Sequence, residues 1–182
     1  MALEYDETAN DIIIDFHTYG KGSDALMTPH GGYRHPVTPE SFEYEDFGNG
    51  IVRAPIHTMI NGINVLTFAI SRPPKSVEQF LADYNLDRNT DIDYFLIHQA
   101  NKMIVDRVMK TLKLPLEKCP NNLEEFGNLG GASIPSLMVT RIADKLRKES
   151  TTILGSSFGL GLSCGTMLLK TKPMVIPELL II

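Results

Sequence analysis

The chain has 182 residues, of which 43% are hydrophobic and 21% are charged, and this composition is typical of an ordinary soluble globular domain with one core. We therefore expect a single domain over residues 1–182. A formal charge of −5 without a long basic run argues against nucleic acid as the main partner. No apolar run reaches the ~20 residues of a membrane span, and the acidic amino terminus lacks a signal core, so the expected location is the cytoplasm, with no membrane partner.

In the first half of the chain the pattern changes several times. Residues 12–14 are β-branched and predict a short buried strand, whereas residues 18–50 are rich in glycine and proline and predict a long irregular segment. Apolar residues at helical spacing predict a helix over residues 55–70 that ends before Pro73 and Pro74. A second helix is expected to start at residues 76–79, which fit a capping box.

The second half alternates between strands and amphipathic helices. Residues 94–97 form a continuous apolar run that predicts a buried central strand with His98 at its carboxyl end. Two helices are expected over residues 101–114 and 132–148, followed by strands over 151–154 and 163–170 that flank a glycine-containing bend. This order predicts an α/β fold in which a mixed sheet is flanked by helices.

Cysteine and histidine are too few and too scattered to predict a metal site. Cys119 and Cys164 are far apart, and neither forms a ligand pattern with any of the five histidines. We therefore expect no metal and no cofactor, and thiols that stay reduced.

Three segments at predicted element ends combine residue types that bind substrates. They are His98-Gln99-Ala100-Asn101 after a strand, Phe126-Gly127-Asn128-Leu129-Gly130-Gly131 at the start of a helix, and Phe158-Gly159-Leu160-Gly161 between two strands. Taken singly, each has an ordinary structural explanation: a hydrogen-bonded histidine, a helix N-cap and a hairpin turn. Because ligands of open α/β sheets collect beyond the carboxyl ends of strands, the three segments together predict one site.

These segments, in this order, resemble the β-ketoacyl-(acyl carrier protein) synthase III group of condensing enzymes. The resemblance rests on His98-Gln99-Ala100-Asn101, on Gly127-Asn128 with Ala132-Ser133-Ile134-Pro135, and on the glycine turn that follows Phe158. It covers residues 11–170 and is weakest over 18–50. It implies the C-terminal half of a thiolase-like fold and a role in fatty acid or polyketide-type synthesis.

The resemblance also implies a mechanism. His98 and Asn128 would hold the thioester oxygen of malonyl-carrier protein while it loses carbon dioxide, and the enolate would then attack an acyl group on a cysteine. Two preorganised donors stabilise the charge that develops on that oxygen. The backbone N–H of Leu160, between Gly159 and Gly161, would help bind the oxyanion of the acyl cysteine, and Phe158 would line the pocket.

The chain departs from the family pattern in two ways. The nucleophilic cysteine of the amino-terminal half has no counterpart, since neither Cys119 nor Cys164 has a suitable setting. Leu129 stands where the family usually has threonine or serine. We therefore expect a fragment that is inactive alone, lacks its amino-terminal half and associates with itself through an apolar surface.

The expected partners follow from the resemblance: the missing half, a second protomer, and an acyl carrier protein or coenzyme A that carries the substrate on phosphopantetheine. Candidate carrier contacts lie on the solvent face of the helix after His98, and the alternative is that this face is simply solvated. Other open possibilities are hydroxymethylglutaryl-CoA synthase, a chalcone-type or aryl polyene synthase, and a non-catalytic subunit that pairs with an active partner. The candidate contacts are Lys102, Arg107, Lys110 and Lys113.

Overall fold

The computed structural model describes residues 5–48 and 50–180 of the chain. The chain divides into two compact units. The first contains the chain up to His17, Ala69–Phe158 and the chain from Cys164 onward. The second contains Thr18–Phe68 and Gly159–Ser163.

The elements alternate along the chain much as the hydrophobic pattern predicts. The strands are β1 (Ile13–Thr18), β2 (Leu26–Met27), β3 (Glu45–Asp46), β4 (Val52–Arg53), β5 (Met59–Ile60), β6 (Tyr94–Ile97), β7 (Thr151–Gly159) and β8 (Ser163–Thr171). The α-helices are α1 (Gly62–Asp83), α2 (Lys102–Leu112), α3 (Leu123–Phe126), α4 (Ser133–Thr140) and α5 (Ala143–Lys148). Short 3-10 turns lie at Gly20–Ala25, Pro39–Phe42, Leu116–Lys118 and Gly130–Ala132.

The main sheet has the strand order β1-β8-β7-β6, and it is mixed, as predicted. β6 runs parallel to β7, with Tyr94 opposite Ile153 and Ile97 opposite Ser156. β6 is buried but lies at an edge of this four-stranded sheet, so the expectation of a central strand was wrong. Helix α4 packs against β6, which explains why an edge strand is apolar throughout.

Strand β1 is present but is not buried as predicted. Its side chains alternate, and Ile14 and Phe16 are 64% and 65% exposed. A β-branched run predicts a strand, but its burial depends on what covers the sheet face. β1 therefore presents an apolar stripe to solvent.

The core of the first unit lies between the sheet and the helices that follow β6. Leu96 and Ile153 of the sheet pack with Leu137, Ile142 and Leu146, and each of these side chains is at most 4% exposed. Met174 and Ile176, which follow β8, add to the same cluster. The stripe predicted for residues 132–148 thus faces the sheet.

A charged contact joins the starts of β6 and β7. The carboxylate of Asp93 accepts a hydrogen bond from the backbone N–H of Thr152 at 2.8 Å and forms an ion pair with Lys145 at 3.2 Å. Partial burial alone would raise the pKa of Asp93, but these two donors hold it below its ordinary value. These contacts therefore help to fix the register of β6 and β7 at the start of both strands.

Helix α1 corrects two predictions about residues 55–85. It is continuous through Pro73 and Pro74, which are buried, and it contains the residues assigned to a capping box. Proline fixes φ at a helical value, so a packed helix accommodates it at the cost of lost backbone hydrogen bonds. Ser76, the expected cap, instead bonds the hydroxyl of Thr166 at 2.8 Å.

The predicted helix over residues 132–148 is two helices, because the chain leaves helical geometry at Arg141 and Ile142. Arg141 makes hydrogen bonds to the backbone oxygen of Asn121 and to Glu125. The first strand of the predicted hairpin is also longer than expected, since β7 continues to Gly159. Tertiary contacts set both the break between α4 and α5 and the end of β7, and hydrophobic periodicity does not reveal such contacts.

The second unit contains two short antiparallel pairs, β2 with β5 and β3 with β4. The region predicted to be irregular therefore has little regular structure, and turns hold it together. The N–H of Tyr19 donates to the backbone oxygen of Leu162 at 2.7 Å. The Thr38 and Ser41 side chains form a capping box around the turn at Pro39–Phe42.

Candidate active site

His98 lies immediately after β6, as predicted, and is held there by backbone and ring contacts. Its N–H donates to the backbone oxygen of Ser156 on β7 at 2.8 Å, and its own carbonyl accepts from the N–H of Ala100. His98 is 7% exposed, and its ring meets the Phe158 ring edge to face, with the centroids 5.0 Å apart. The structure therefore brings together two of the predicted site residues.

Burial governs the charge of His98. It lowers the pKa of His98 below its ordinary value, because a charged imidazole loses its hydration there. The Nδ1 atom is buried and makes no hydrogen bond within the described residues. A neutral imidazole has one donor and one acceptor nitrogen, so His98 can offer an N–H to a substrate oxygen without carrying charge at neutral pH.

Asn128 lies in the loop between α3 and α4, where its side chain forms a local turn. Its Oδ1 accepts the N–H of Gly130 at 2.9 Å, and Gly127 and Gly130 both have positive φ (61° and 56°). Asn128 is therefore not a helix N-cap, because its Oδ1 bonds the N–H of the second residue after it in a local turn. The carboxamide NH₂ makes no bond within the described residues and is exposed, so it remains available as a donor.

The turn after Phe158 needs glycine at one position. Gly161 has φ of 138°, and a Cβ there would lie 2.2 Å from the Oγ of Ser163. Leu160, beside it, is 65% exposed. The roles of Gly159, Leu160 and Gly161 in holding an oxyanion stay predictions.

Neither cysteine has the environment of a nucleophile. Burial, with a smaller effect from Glu117, raises the pKa of Cys119 to about 12. Burial also raises the pKa of Cys164. Both side chains are free thiols with little access to solvent, and thiolates are scarce at such values.

The basic residues predicted to contact a carrier protein all lie on the exposed face of α2 or at its end. Lys102 pairs with Asp106 at 3.6 Å, and Lys113 ends the helix in the left-handed conformation. Arg107 and Lys110 are exposed between them. The arrangement is compatible with an acidic partner, and contact with one stays a prediction.

Two features are absent from the part of the chain that the structure describes. Residues 5–48 and 50–180 contain no group of three histidine, cysteine or carboxylate side chains that could hold a metal ion. Within the same residues no helix is long and apolar enough to cross a membrane.

Among the buried polar residues, Asn122 is the one that the sequence did not indicate. The buried side-chain polar atoms without a partner, within the described residues, belong to His98, Asn122 and Ser133. Gln99 and Asn122 are each only 1% exposed. Asn122 precedes two glutamates, which is typical of an ordinary cap, so nothing in the sequence marked it. Unpartnered buried polar atoms are uncommon in folded proteins, so each of them calls for an explanation.

Comparison with known proteins gives the family. Residues 82–171 match the family model of the 3-oxoacyl-[acyl-carrier-protein (ACP)] synthase III C terminal. The β-ketoacyl-[acyl-carrier-protein] synthase III of Limosilactobacillus reuteri is 35% identical over 174 residues, which are 92% of this chain and 49% of the relative. The chain thus spans about half the length of the curated relatives it matches.

Solved structures agree with this result. A crystal structure of a 3-oxoacyl-(acyl-carrier-protein) synthase III superposes with a TM-score of 0.79 at 28% identity, over 93% of this chain and 50% of that one. The 3-oxoacyl-(acyl-carrier protein) synthase of Burkholderia xenovorans gives 0.78 at 29% identity, over 92% and 46%. The chain therefore belongs to the 3-oxoacyl-[acyl-carrier-protein] synthase III family and corresponds to the C-terminal half of its thiolase-like fold.

Proposed function

We propose that this chain is the decarboxylating half of a 3-oxoacyl-(acyl carrier protein) synthase III-type condensing enzyme of fatty acid or polyketide-type synthesis. The observation that carries the proposal is His98, a buried imidazole at a strand end with an unpartnered ring nitrogen. In the same unit, Asn128 offers a free amide donor on a glycine-flanked turn. The partners are an acyl carrier protein or coenzyme A, a second protomer and an amino-terminal half that bears the nucleophilic cysteine.

In the proposed reaction the malonyl thioester oxygen accepts hydrogen bonds from the N–H of His98 and the NH₂ of Asn128. The bond between the carboxylate and the α-carbon breaks, carbon dioxide leaves, and the electron pair forms an enolate on that oxygen. The α-carbon then attacks an acyl thioester on the other half, and the cysteine thiolate leaves. Both donors bind the oxygen more strongly as its charge grows, so they stabilise the transition state more than the substrate.

Decarboxylation needs neither cysteine, which suggests a direct assay. The chain is mixed with malonyl-CoA, alone and with the amino-terminal half of the Limosilactobacillus reuteri relative, and the release of carbon dioxide is measured. We expect His98→Ala and Asn128→Ala each to lower the rate by about 10²–10³, the usual effect of losing one such donor. His17→Ala, a histidine change on the partly exposed strand β1, is the control and should leave the rate unchanged.

A second assay addresses condensation. We expect the chain alone to form no 3-oxoacyl product from malonyl and acyl thioesters, because Cys119 and Cys164 are buried and their pKa values are raised. Two outcomes of the decarboxylation assay would contradict the proposal. If the His98→Ala protein decarboxylates malonyl-CoA at the wild-type rate, His98 does not have the role proposed for it. If the wild-type chain fails to decarboxylate malonyl-CoA even with the added half, the non-catalytic subunit is the better explanation.

A further inference from the structure

Asn122 occupies the first position before α3 but does not cap that helix. Its side chain makes no cap hydrogen bond, although an asparagine there ordinarily bonds the free N–H groups of the first turn. The Nδ2 instead donates to the Ser136 Oγ and to the Thr140 Oγ1, each at 3.1 Å, on α4. The Asn122 side chain thus bonds to α4, which begins eleven residues later in the chain, instead of capping α3.

The two hydroxyls are already oriented to accept. The Ser136 hydroxyl donates to the backbone oxygen of Ser133 at 2.8 Å, and the Thr140 hydroxyl donates to the backbone oxygen of Ser136 at 2.7 Å. Both hydrogens are therefore engaged, so the hydroxyl oxygens present lone pairs to the two hydrogens of the Asn122 amide. This fixes the amide orientation and leaves the Oδ1 buried without a partner in the described residues.

Gln99 connects this arrangement to the strand end that carries His98. The backbone N–H of Asn122 donates to the Gln99 Oε1 at 3.2 Å, and the Gln99 Nε2 donates to the backbone oxygen of Ile97 at 2.7 Å. Gln99 and Ile97 are the two chain neighbours of His98. The buried Gln99 side chain, 1% exposed, thus connects the chain neighbours of His98 to the start of α3, the helix that precedes the loop with Asn128.

We infer that Gln99, Asn122, Ser136 and Thr140 form an amide clamp that positions His98 and Asn128 relative to each other. Asn128 lies in the chain between Asn122 and Ser136, so the Asn122 side chain joins the start of α3 to α4, on either side of the loop that carries Asn128. Because a displacement of about 1 Å can cost ~100-fold in rate, we expect loss of these bonds to lower the rate more than it lowers the stability. The inference rests on the proposed function, and its members are positioning residues that touch no substrate.

The test uses the full chain with Asn122→Leu, which has nearly the same shape and removes the amide donor together with the buried Oδ1. Malonyl-CoA decarboxylation should fall by about 10–100-fold in kcat with little change in KM, while the chemical unfolding midpoint changes little. Thr140→Val leaves one acceptor in place and should give an intermediate rate. The double variant should match Asn122→Leu, because the same bond is already lost. Ser76→Ala, which removes a buried hydroxyl bond outside the clamp, is the control and should keep the wild-type kcat.

A second readout needs no substrate and separates this inference from the proposed function. In the labelled chain, the NMR order parameter of the Asn128 side-chain amide should fall in Asn122→Leu but not in Ser76→Ala. An unchanged order parameter, or an Asn122→Leu kcat equal to that of Ser76→Ala in an active chain, overturns the clamp. If the wild-type chain does not decarboxylate, the proposed function fails, and the order parameter alone supports or overturns the clamp.

Discussion

The burial of His98 makes the stability of the chain depend on pH in a specific way. Above about pH 6.5 the imidazole is neutral in both the folded and the unfolded chain, so it adds no pH dependence. Below that value the unfolded chain binds a proton that the folded chain, whose His98 pKa is lowered, does not yet bind. Stability should therefore fall as the pH drops from about 6.5 to the folded pKa, and then level off.

The magnitude follows from the linkage. Each unit by which the folded pKa lies below the unfolded one removes about 1.4 kcal/mol of stability at acidic pH. His98→Phe abolishes this loss and retains a ring against Phe158, which meets His98 edge to face. The difference in unfolding free energy between His98→Phe and the wild type should therefore shift in favour of the variant as the pH falls.

The assay is urea unfolding of both proteins at several pH values between about 7.5 and about 5, a range that brackets the ordinary histidine pKa, together with NMR titration of the His98 ring. A difference in unfolding free energy that stays constant with pH would mean that the pKa of His98 is not lowered in the folded chain. A His98 ring whose pKa lies above about 6.5, the ordinary value for histidine, would contradict the prediction as well, because then burial would not be the dominant effect.

Three other predictions concern the framework. Asp93→Asn should lower the unfolding free energy measured in urea by about 1 kcal/mol at pH 7, a value discounted for the partial exposure of the carboxylate, and this loss should vanish as the pH falls below ~4. Asp144→Asn, at a carboxylate that is 87% exposed, is the control and should not change the unfolding free energy measurably. Cys119 and Cys164 should react with iodoacetamide at pH 8 at least ~100-fold more slowly in the folded chain than in urea, and equal rates would contradict their burial. Leu146→Ala should lower the unfolding free energy by about 2–5 kcal/mol, and a loss under about 1 kcal/mol would mean that the core cluster is misassigned.

Hydrophobic periodicity predicts the helices and strands whose burial it directly encodes. The apolar run before His98 is a strand, and the amphipathic pattern after it is α2, which is capped at Asn101 through the N–H of Ile104. Boundaries set by tertiary contacts are not predictable in this way. Pro73 and Pro74 continue a packed helix, and Arg141 ends one by bonding a distant loop.

The residues of the candidate site were likewise predictable only in part. His98 was predictable because a histidine at the carboxyl end of a buried strand, within a set of family motifs, is distinctive. Asn122 was not predictable, because an asparagine before acidic residues has an ordinary role as a cap, and only the folded structure places its amide on α4. Glycine conformations such as that of Gly161 also require the structure, since the sequence does not give the sign of φ.

In the proposed mechanism, the imidazole of His98 and the carboxamide of Asn128 act on the same substrate atom. The most direct measurement is a crystal structure of the chain with a malonyl thioester analogue that cannot lose carbon dioxide. We expect a ring nitrogen of His98 and the Nδ2 of Asn128 both to lie within about 3.2 Å of one thioester oxygen. An analogue bound with that oxygen facing only one of the two side chains, or side chains on opposite faces of the sheet, would contradict it.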